Sequence, residues 1–307
     1  VDHDIWCSPE VQVSRADEMV WTSTSGSNVA AEYAAALALG YINFNDGSDK
    51  YKEYLEVAEK LYEFAGRTSA FSASDTSGTY YSDGESGDDI AWAAAWLYEA
   101  TGKKDDSPYK DARSNTTGEL QWDDVNLAAA IAKARQTNDT SDWNTVKKYI
   151  NDTYINGNKK DYYYIHPWGT ARFNAMAQTA TLIVAKHLKA QGDVTTATNF
   201  VDWSVGQMNK LLGDNDWKDT INGVCNGGTI SDTNLPICLV TNFVPNGFDV
   251  DTPQAAHHRA ASGYMGWTEY NSSTTISQTN GKVLVGALVG GPSDAGGTYT
   301  DSIKDYV

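Results

Sequence analysis

Cysteine is scarce, with three in 307 residues. None sits in a Cys-x-x-Cys pair or beside a suitably spaced histidine, which argues against a zinc-built domain. Basic residues are also few: 23 Lys and Arg stand against 40 Asp and Glu, a net charge of −17. A phosphate backbone is recognised by clustered Lys and Arg, so nucleic acid is excluded as a partner. No run of 18 apolar residues occurs, so no segment has the composition of a membrane-spanning helix. No signal peptide is visible. The chain opens on Val1, and its true start is expected to lie further upstream. Long stretches of period-two alternation are missing as well, which excludes a large sheet.

What is present is an ordinary apolar fraction of 41%, enough for one large core or two modest ones. Aromatics reach 11%, with 10 Trp and 18 Tyr. Such rings stack on the flat faces of sugars, and they equally fill a large core. Cys225 and Cys238 bracket a polar segment, which reads as a loop staple in an oxidising compartment and leaves Cys7 as a buried free thiol. Four Asn-x-Ser/Thr triplets (Asn115, Asn138, Asn151, Asn271) occur at a frequency that chance supplies in a Ser/Thr-rich chain.

The periodicity is helical. Ser27 reads as the N-cap of a helix to about Phe44, with Val29, Tyr33, Leu37, Tyr41 and Phe44 at helical spacing. Ser48 caps a second, with Tyr51, Leu55, Ala58, Leu61 and Tyr62 on one face. Further helices are expected over 88–101, 123–136, 142–151, 169–191, 194–212 and 280–289, three of them stopped by Gly102, Gly192 and Gly213. Alanine recurs on several of them, as in Ala30, Ala31, Ala34, Ala35, Ala36 and Ala38, so close helix packing is expected. The pattern predicts an all-α chain of helical hairpins arranged in a ring, with function on the face that carries the long loops. No composition break separates one part from another, so residues 1–307 are expected to form a single domain.

The residues that could carry chemistry are few. His257-His258-Arg259 follows an irregular stretch and could bind an anion, a metal or a sugar hydroxyl, or form a plain polar turn. Asp301 and Asp305 lie four apart and are either paired carboxylates or helix caps. Glycoside hydrolysis needs one protonated and one ionised carboxyl.

Motifs in a fixed order add to this. Asp2-His3 with Trp6 and Glu10, Ser27-Asn28-Val29-Ala30-Ala31-Glu32, and Asp88-Asp89-Ile90-Ala91-Trp92 come first. Trp122-Asp123-Asp124, Trp168-Gly169-Thr170-Ala171-Arg172 and Leu212-Gly213-Asp214-Asn215 follow. His257-His258-Arg259 precedes Gly290-Gly291-Pro292, and Tyr299, Asp301 and Tyr306 close the series. In this order they resemble the catalytic domain of glycoside hydrolase family 9, the inverting cellulases, from its central part to near its C-terminal end.

The resemblance implies an (α/α)6 barrel, incomplete in this chain, with residues 1–307 a partial catalytic domain. It implies hydrolysis of internal β-1,4-glucosidic bonds with inversion, by a secreted, monomeric endoglucanase acting on a β-1,4-glucan or cello-oligosaccharide. Trp168 becomes a sugar-stacking platform and Arg172 a cleft donor. His257 and Arg259 become the active-site His-x-Arg pair, and Asp301 the aspartate that orders the acid-bearing segment. Tyr306 flanks the cleft, as does Tyr80 or its neighbour Tyr81. Asp88, Asp89 and Asp123 match positions that bind calcium in some members, with Asp89 one methylene shorter than the usual Glu. The family's base lies in an Asp-Ala-Gly-Asp motif upstream of the stretch matching Asp2, and its acid Glu lies past the position of Val307. Both catalytic carboxylates are therefore expected to fall outside these residues. The alternative is a non-catalytic carbohydrate-binding protein on a degenerate barrel.

Overall fold

The computed structural model describes residues 5–6, 23–71, 83–157, 162–217, 235–241, 243, 250–253, 265–266 and 285–299. Seven α-helices run through them: α1 (Ser27–Phe44), α2 (Asp49–Ala65), α3 (Gly87–Ala100), α4 (Asn126–Thr137), α5 (Thr140–Ile150), α6 (Thr170–Ala190) and α7 (Val194–Leu211). One π-helical turn, Asn151–Ile155, extends α5. The only strands among the described residues are β1 (Ile5–Trp6) and β2 (Met265–Gly266), paired antiparallel. The all-α expectation holds. The chain divides into two compact units, residues 20–152 and residues 1–19 with 153–307.

In the unit of residues 20–152, α2 returns antiparallel to α1, so that Ser69 bridges back to Ser25. The buried face of α1 is built from small residues: Ala31, Ala34 and Ala38 are fully buried. A side chain of one methyl lets two helix backbones approach closely, and α3 answers with Ala93, Ala94 and Leu97. This close packing through alanine is as expected, and of the larger residues at helical spacing on α1 Leu37 packs against the core while others face outward. Val29 is 44%, Tyr33 63% and Phe44 65% exposed. The expected face of α2 does pack on the core, through Leu55, Ala58, Leu61 and Tyr62.

Helix ends follow the residues that cap them. Asp139 accepts the N–H of Ser141 at 2.6 Å to open α5, and Asp193 accepts that of Thr196 at 3.3 Å to open α7. Gly102, Gly192 and Gly213 all stop helices with positive φ (88°, 86° and 114°), as their positions predicted. The helix expected from Asp123 starts only at Asn126. The Asp124 carboxylate accepts the Asn126 N–H at 2.8 Å, and Gln121 pairs back to Asp124, which holds this stretch as a turn.

The unit that contains α6 and α7 pairs these two helices as a hairpin. A second core forms around Tyr162, Ala171, Leu211, Trp217, Ile237, Leu239, Val289 and Tyr299. The helix expected over 280–289 is absent from the described part of that range. Thr241 donates to Ala287 O and Val289 to Leu239 O, so residues 287–289 run extended beside 239–241. The turn that admits this pairing is at Gly286, φ 82°.

Candidate active site

The loop of residues 162–169 is pinned residue by residue before it reaches α6. The Tyr162 ring packs edge-on against Trp217, centroids 4.7 Å apart. The Tyr163 N–H donates to Gln207 Oε1 at 2.9 Å, and Asn174 Nδ2 donates to Tyr163 O and to the same Gln207 oxygen. Tyr154 stacks on Trp203 and meets Tyr163 edge-on, closing an aromatic cluster beneath the loop. Tyr164 reaches across to donate its hydroxyl to Ser293 O at 3.0 Å.

The start of α6 is clamped as well. Thr170 Oγ1 and Ala171 N both donate to Gly290 O, at 3.2 and 2.9 Å. Gly291 lies at φ 99°, and a Cβ there would overlap Thr170 Oγ1 and crowd Ala171 N. Gly291 is thus required by its positive φ and by the close approach of the α6 start.

On this support stands Trp168, 54% exposed. Its N–H donates to His166 Nδ1 at 3.1 Å, so that nitrogen serves as an acceptor. Gly169 then turns the chain at φ 70°. Arg172, exposed, lays its guanidinium 4.6 Å from the centroid of buried Phe173, a cation–π contact. A Cβ on Gly169 would stand 3.2 Å from Arg172 Nη2, so the guanidinium lies directly against the turn that follows Trp168. An exposed indole and an exposed guanidinium on a rigid loop can take a sugar ring by stacking and by hydrogen bonding.

The second group lies in the unit of residues 20–152, at the N-terminus of α3. Asp88 and Asp89 occupy its first turn and are only 8% and 5% exposed. Asp88 Oδ2 accepts the Val125 N–H at 2.8 Å, which ties α3 to the segment entering α4. Asn28 Nδ2 donates to Asp83 at 2.6 Å. Two buried oxygens, Asp89 Oδ2 and Asp123 Oδ1, have no hydrogen-bond partner. Burial, reinforced by the charges of Asp88, Asp83 and Glu32, pushes the Asp89 carboxyl up to about 8. Burial raises Asp123 too, with Asp83, Asp124 and Asp88 adding to it. A helix N-terminus favours negative charge, but several carboxylates this close oppose one another.

Hard carboxylate oxygens, two of them buried without a donor, suit a calcium ion in kind. Among the described residues no three His, Cys, Asp or Glu side chains already converge as a cage. Asp88, Asp89 and Asp123 would have to rotate toward one point to share an ion. Asp83, Asp124 and Glu32 belong to the same acidic neighbourhood and were not singled out from sequence. Their signal was the density of Asp over 83–89 and 123–124, which reads as ordinary helix capping when taken alone.

His257, Arg259, Asp301, Tyr306 and Tyr80 lie outside the described residues, as do Cys225 and Cys7. Cys238 lies within them and corrects the expected staple. It is a free, fully buried thiol whose Sγ lies 3.9 Å from Val240 O, and burial pushes its pKa up. Its own N–H donates to Asp251 O at 2.8 Å, which fixes the backbone in a packed bridge. We predict that a thiol reagent leaves Cys238 unmodified in the folded chain and labels it on unfolding without any reductant. Peptide mapping that finds Cys238 unreactive until a reductant is added would contradict this.

With this geometry in view, comparison with known proteins is decisive. The glycosyl hydrolase family 9 model matches residues 1–220 and 238–307. The chain belongs to glycosyl hydrolase family 9. The unmatched stretch, 221–237, includes the whole segment bracketed by Cys225 and Cys238. Endoglucanase B of Cellulomonas fimi is 30% identical over 337 residues, covering 100% of this chain and 29% of that protein. The catalytic domain of Clostridium thermocellum CelT superposes with a TM-score of 0.70 at 26% identity, covering 100% of this chain and 62% of that one. The cellulase Cel9M of C. cellulolyticum, solved with cellobiose, superposes with a TM-score of 0.71 at 25% identity, covering 99% and 65%. The fold class is thus that of family 9, an (α/α)6 barrel represented here in part. The family 9 chain spans less than two thirds of the length of these relatives.

Proposed function

We propose that this chain is part of a secreted, monomeric endoglucanase that hydrolyses internal β-1,4-glucosidic bonds of cellulose-type polysaccharides with inversion. The observation that carries the reading is the exposed Trp168–Arg172 pair on its clamped loop, within a family match that runs nearly end to end. Residues 1–307 then form one partial catalytic domain. The indole of Trp168 stacks on a glucose ring and Arg172 donates to its hydroxyls. His257 and Arg259 hold hydroxyls of the sugar at the cleavage point, which favours its distortion toward the transition state. Asp301 orders the segment that precedes the acid, and Tyr306 and Tyr80 flank the cleft. In inverting hydrolysis one carboxylic acid protonates the leaving oxygen while a carboxylate activates water on the opposite face. The substrate is a neutral β-1,4-glucan, in keeping with an acidic chain of net charge −17. None of the described helices is long and apolar enough to cross a membrane.

Asp88, Asp89 and Asp123 would hold a structural calcium, which would supply the positive charge that the two orphaned oxygens lack. It has no part in the bond-breaking step.

The test is binding. Titration of the chain with cellotetraose, followed by calorimetry, should give an affinity that Trp168→Ala lowers by about tenfold or more, the loss of roughly 1.4 kcal/mol. Arg172→Ala should weaken it to a smaller degree. Unchanged affinity in Trp168→Ala would remove the platform from the reading. Binding with no hydrolysis, even when the chain is extended through segments that carry a base and an acid carboxyl, would favour the non-catalytic carbohydrate-binding alternative.

A further inference from the structure

We propose that a groove between the C-terminal ends of α1 and α3 is a second saccharide-binding site, distinct from the Trp168 platform. The choice of ligand rests on the reading of the substrate as a β-1,4-glucan. The groove has a volume of about 410 Å³ and is lined by Tyr41 and Ile42 of α1 with Asn45 just past its end, and by Glu99 of α3 with Gly102 and Lys103 just past its end. That volume falls within the roughly 300–1,000 Å³ of small-ligand sites.

Its position sets it apart from the acidic cluster. Glu32, near the start of α1, adds its charge to Asp83, Asp88 and Asp89 at the start of α3, while the far ends of both helices border the groove. The two helices therefore run in the same direction. With 18 residues, α1 is about 27 Å long, so the groove lies that far from the cluster.

The lining matches a neutral polyol better than an ion. A glucose unit offers an apolar face and a ring of hydroxyls. Tyr41 supplies a half-buried aromatic ring, Glu99 accepting oxygens and Lys103 donors. Asn45 Oδ1 accepts the Gly47 N–H at 2.9 Å, which fixes the amide and leaves Nδ2 as its donor. Glu99 and Lys103 face each other at 3.5 Å, so the charges on that wall offset one another.

The α3 wall is also built from behind. Arg113, only 8% exposed, lays its guanidinium 3.9 Å from the centroid of Tyr98 and donates to Gln136 Oε1 at 3.0 Å. Gln136 Nε2 donates in turn to Glu99 Oε2 at 3.2 Å. The Tyr98 hydroxyl donates to Lys103 O at 3.1 Å, and Lys103 N donates to Tyr98 O at 2.9 Å. These bonds hold Lys103 at φ 57°, a backbone state that L side chains rarely adopt and that recurs at ligand clamps. One buried arginine thus braces the Glu99 side chain, through Gln136, and packs on the Tyr98 that holds the Lys103 backbone.

The experiment is amide chemical-shift mapping of the isotope-labelled 307-residue chain with cellotetraose. We expect shifts at residues 41–45 and 99–103 that saturate independently of those at 168–173. Tyr41→Ala should weaken the first set at least tenfold and leave the second unchanged, which also reports that the variant is folded. Asn45→Ala, at an exposed position, should give a weaker form of the same loss. Groove shifts with none at 168–173 would uphold the site while removing the cleft reading. No shift at 99–103 in the unaltered chain would overturn the proposal, as would shifts there that neither substitution diminishes.

Discussion

On carboxymethylcellulose, the 307-residue chain by itself should release reducing ends no faster than buffer. Joining it to segments that supply the Asp-Ala-Gly-Asp motif and the acid Glu expected from the family resemblance should produce hydrolysis. The argument is a count of carboxylates. No Asp-Ala-Gly-Asp segment occurs in these residues, and no Glu follows Glu269. The nearest string to the base motif is Asp294-Ala295-Gly296-Gly297, and there Asp294 is committed to a turn. Its carboxylate accepts the N–H groups of Gly296 and Thr298 at 2.7 and 3.2 Å, and those bonds, with Thr298 the largest influence, hold it below the usual carboxylate range. A carboxylate so satisfied is a poor base. General acid and general base catalysis each contribute about 10²–10⁴-fold, so losing both costs on the order of 10⁴-fold or more. Two results would count against this. Hydrolysis by the 307 residues alone that Asp301→Asn or Asp305→Asn abolishes would assign catalysis to a carboxylate given only a supporting role. Hydrolysis that persists in both variants would show that another group does the work.

The helical skeleton was readable because its signals are local. A capping Asp, a left-handed Gly and a 3.6-residue period act within one or two turns, so α2, α6 and α7 fell close to their expected bounds. Which face of α1 goes inward was not local. Large apolar residues at helical spacing ordinarily mark a buried stripe, yet here the alanines pack against α3 because they permit the closer approach. The extended run at 287–289 was also beyond reach. Its apolar residues have a helical look, and only the partner segment 239–241 supplies the hydrogen bonds that hold it open. At the candidate site, Trp168, Arg172 and the three aspartates were singled out by motif order. The bracing of the Trp168 loop by Gln207 and Asn174 was not, since buried amides far apart in sequence carry no spacing signal.

Calcium should stabilise the chain more as pH rises, and Asp89 sets the sign. Its carboxyl ordinarily titrates near 3.8 and is raised to about 8 in the fold, first by burial and then by Asp88, Asp83 and Glu32. Between those values the folded chain holds a proton that the unfolded chain has lost. Stability from this group is therefore fully present below about pH 4 and is lost as pH climbs through about 8, at up to roughly 1.4 kcal/mol per pH unit. A divalent cation reverses the argument, because it supplies the countercharge that ionised Asp89 and the orphaned Asp123 oxygen lack. In chelator, the melting temperature should fall between pH 5 and pH 8 once other titrations are subtracted by reference to Asp89→Asn. Calcium at about a hundredfold its dissociation constant is worth about 2.7 kcal/mol, on the order of 4 °C for a chain of this size. That gain should appear at pH 8, shrink at pH 5 where the ion must displace a proton, and be lost in Asp89→Asn. A chelator-dependent decline with no response to calcium would leave Asp89 a buried acid and remove the metal. An equal calcium gain at both pH values, or one that survives Asp89→Asn, would place the ion elsewhere.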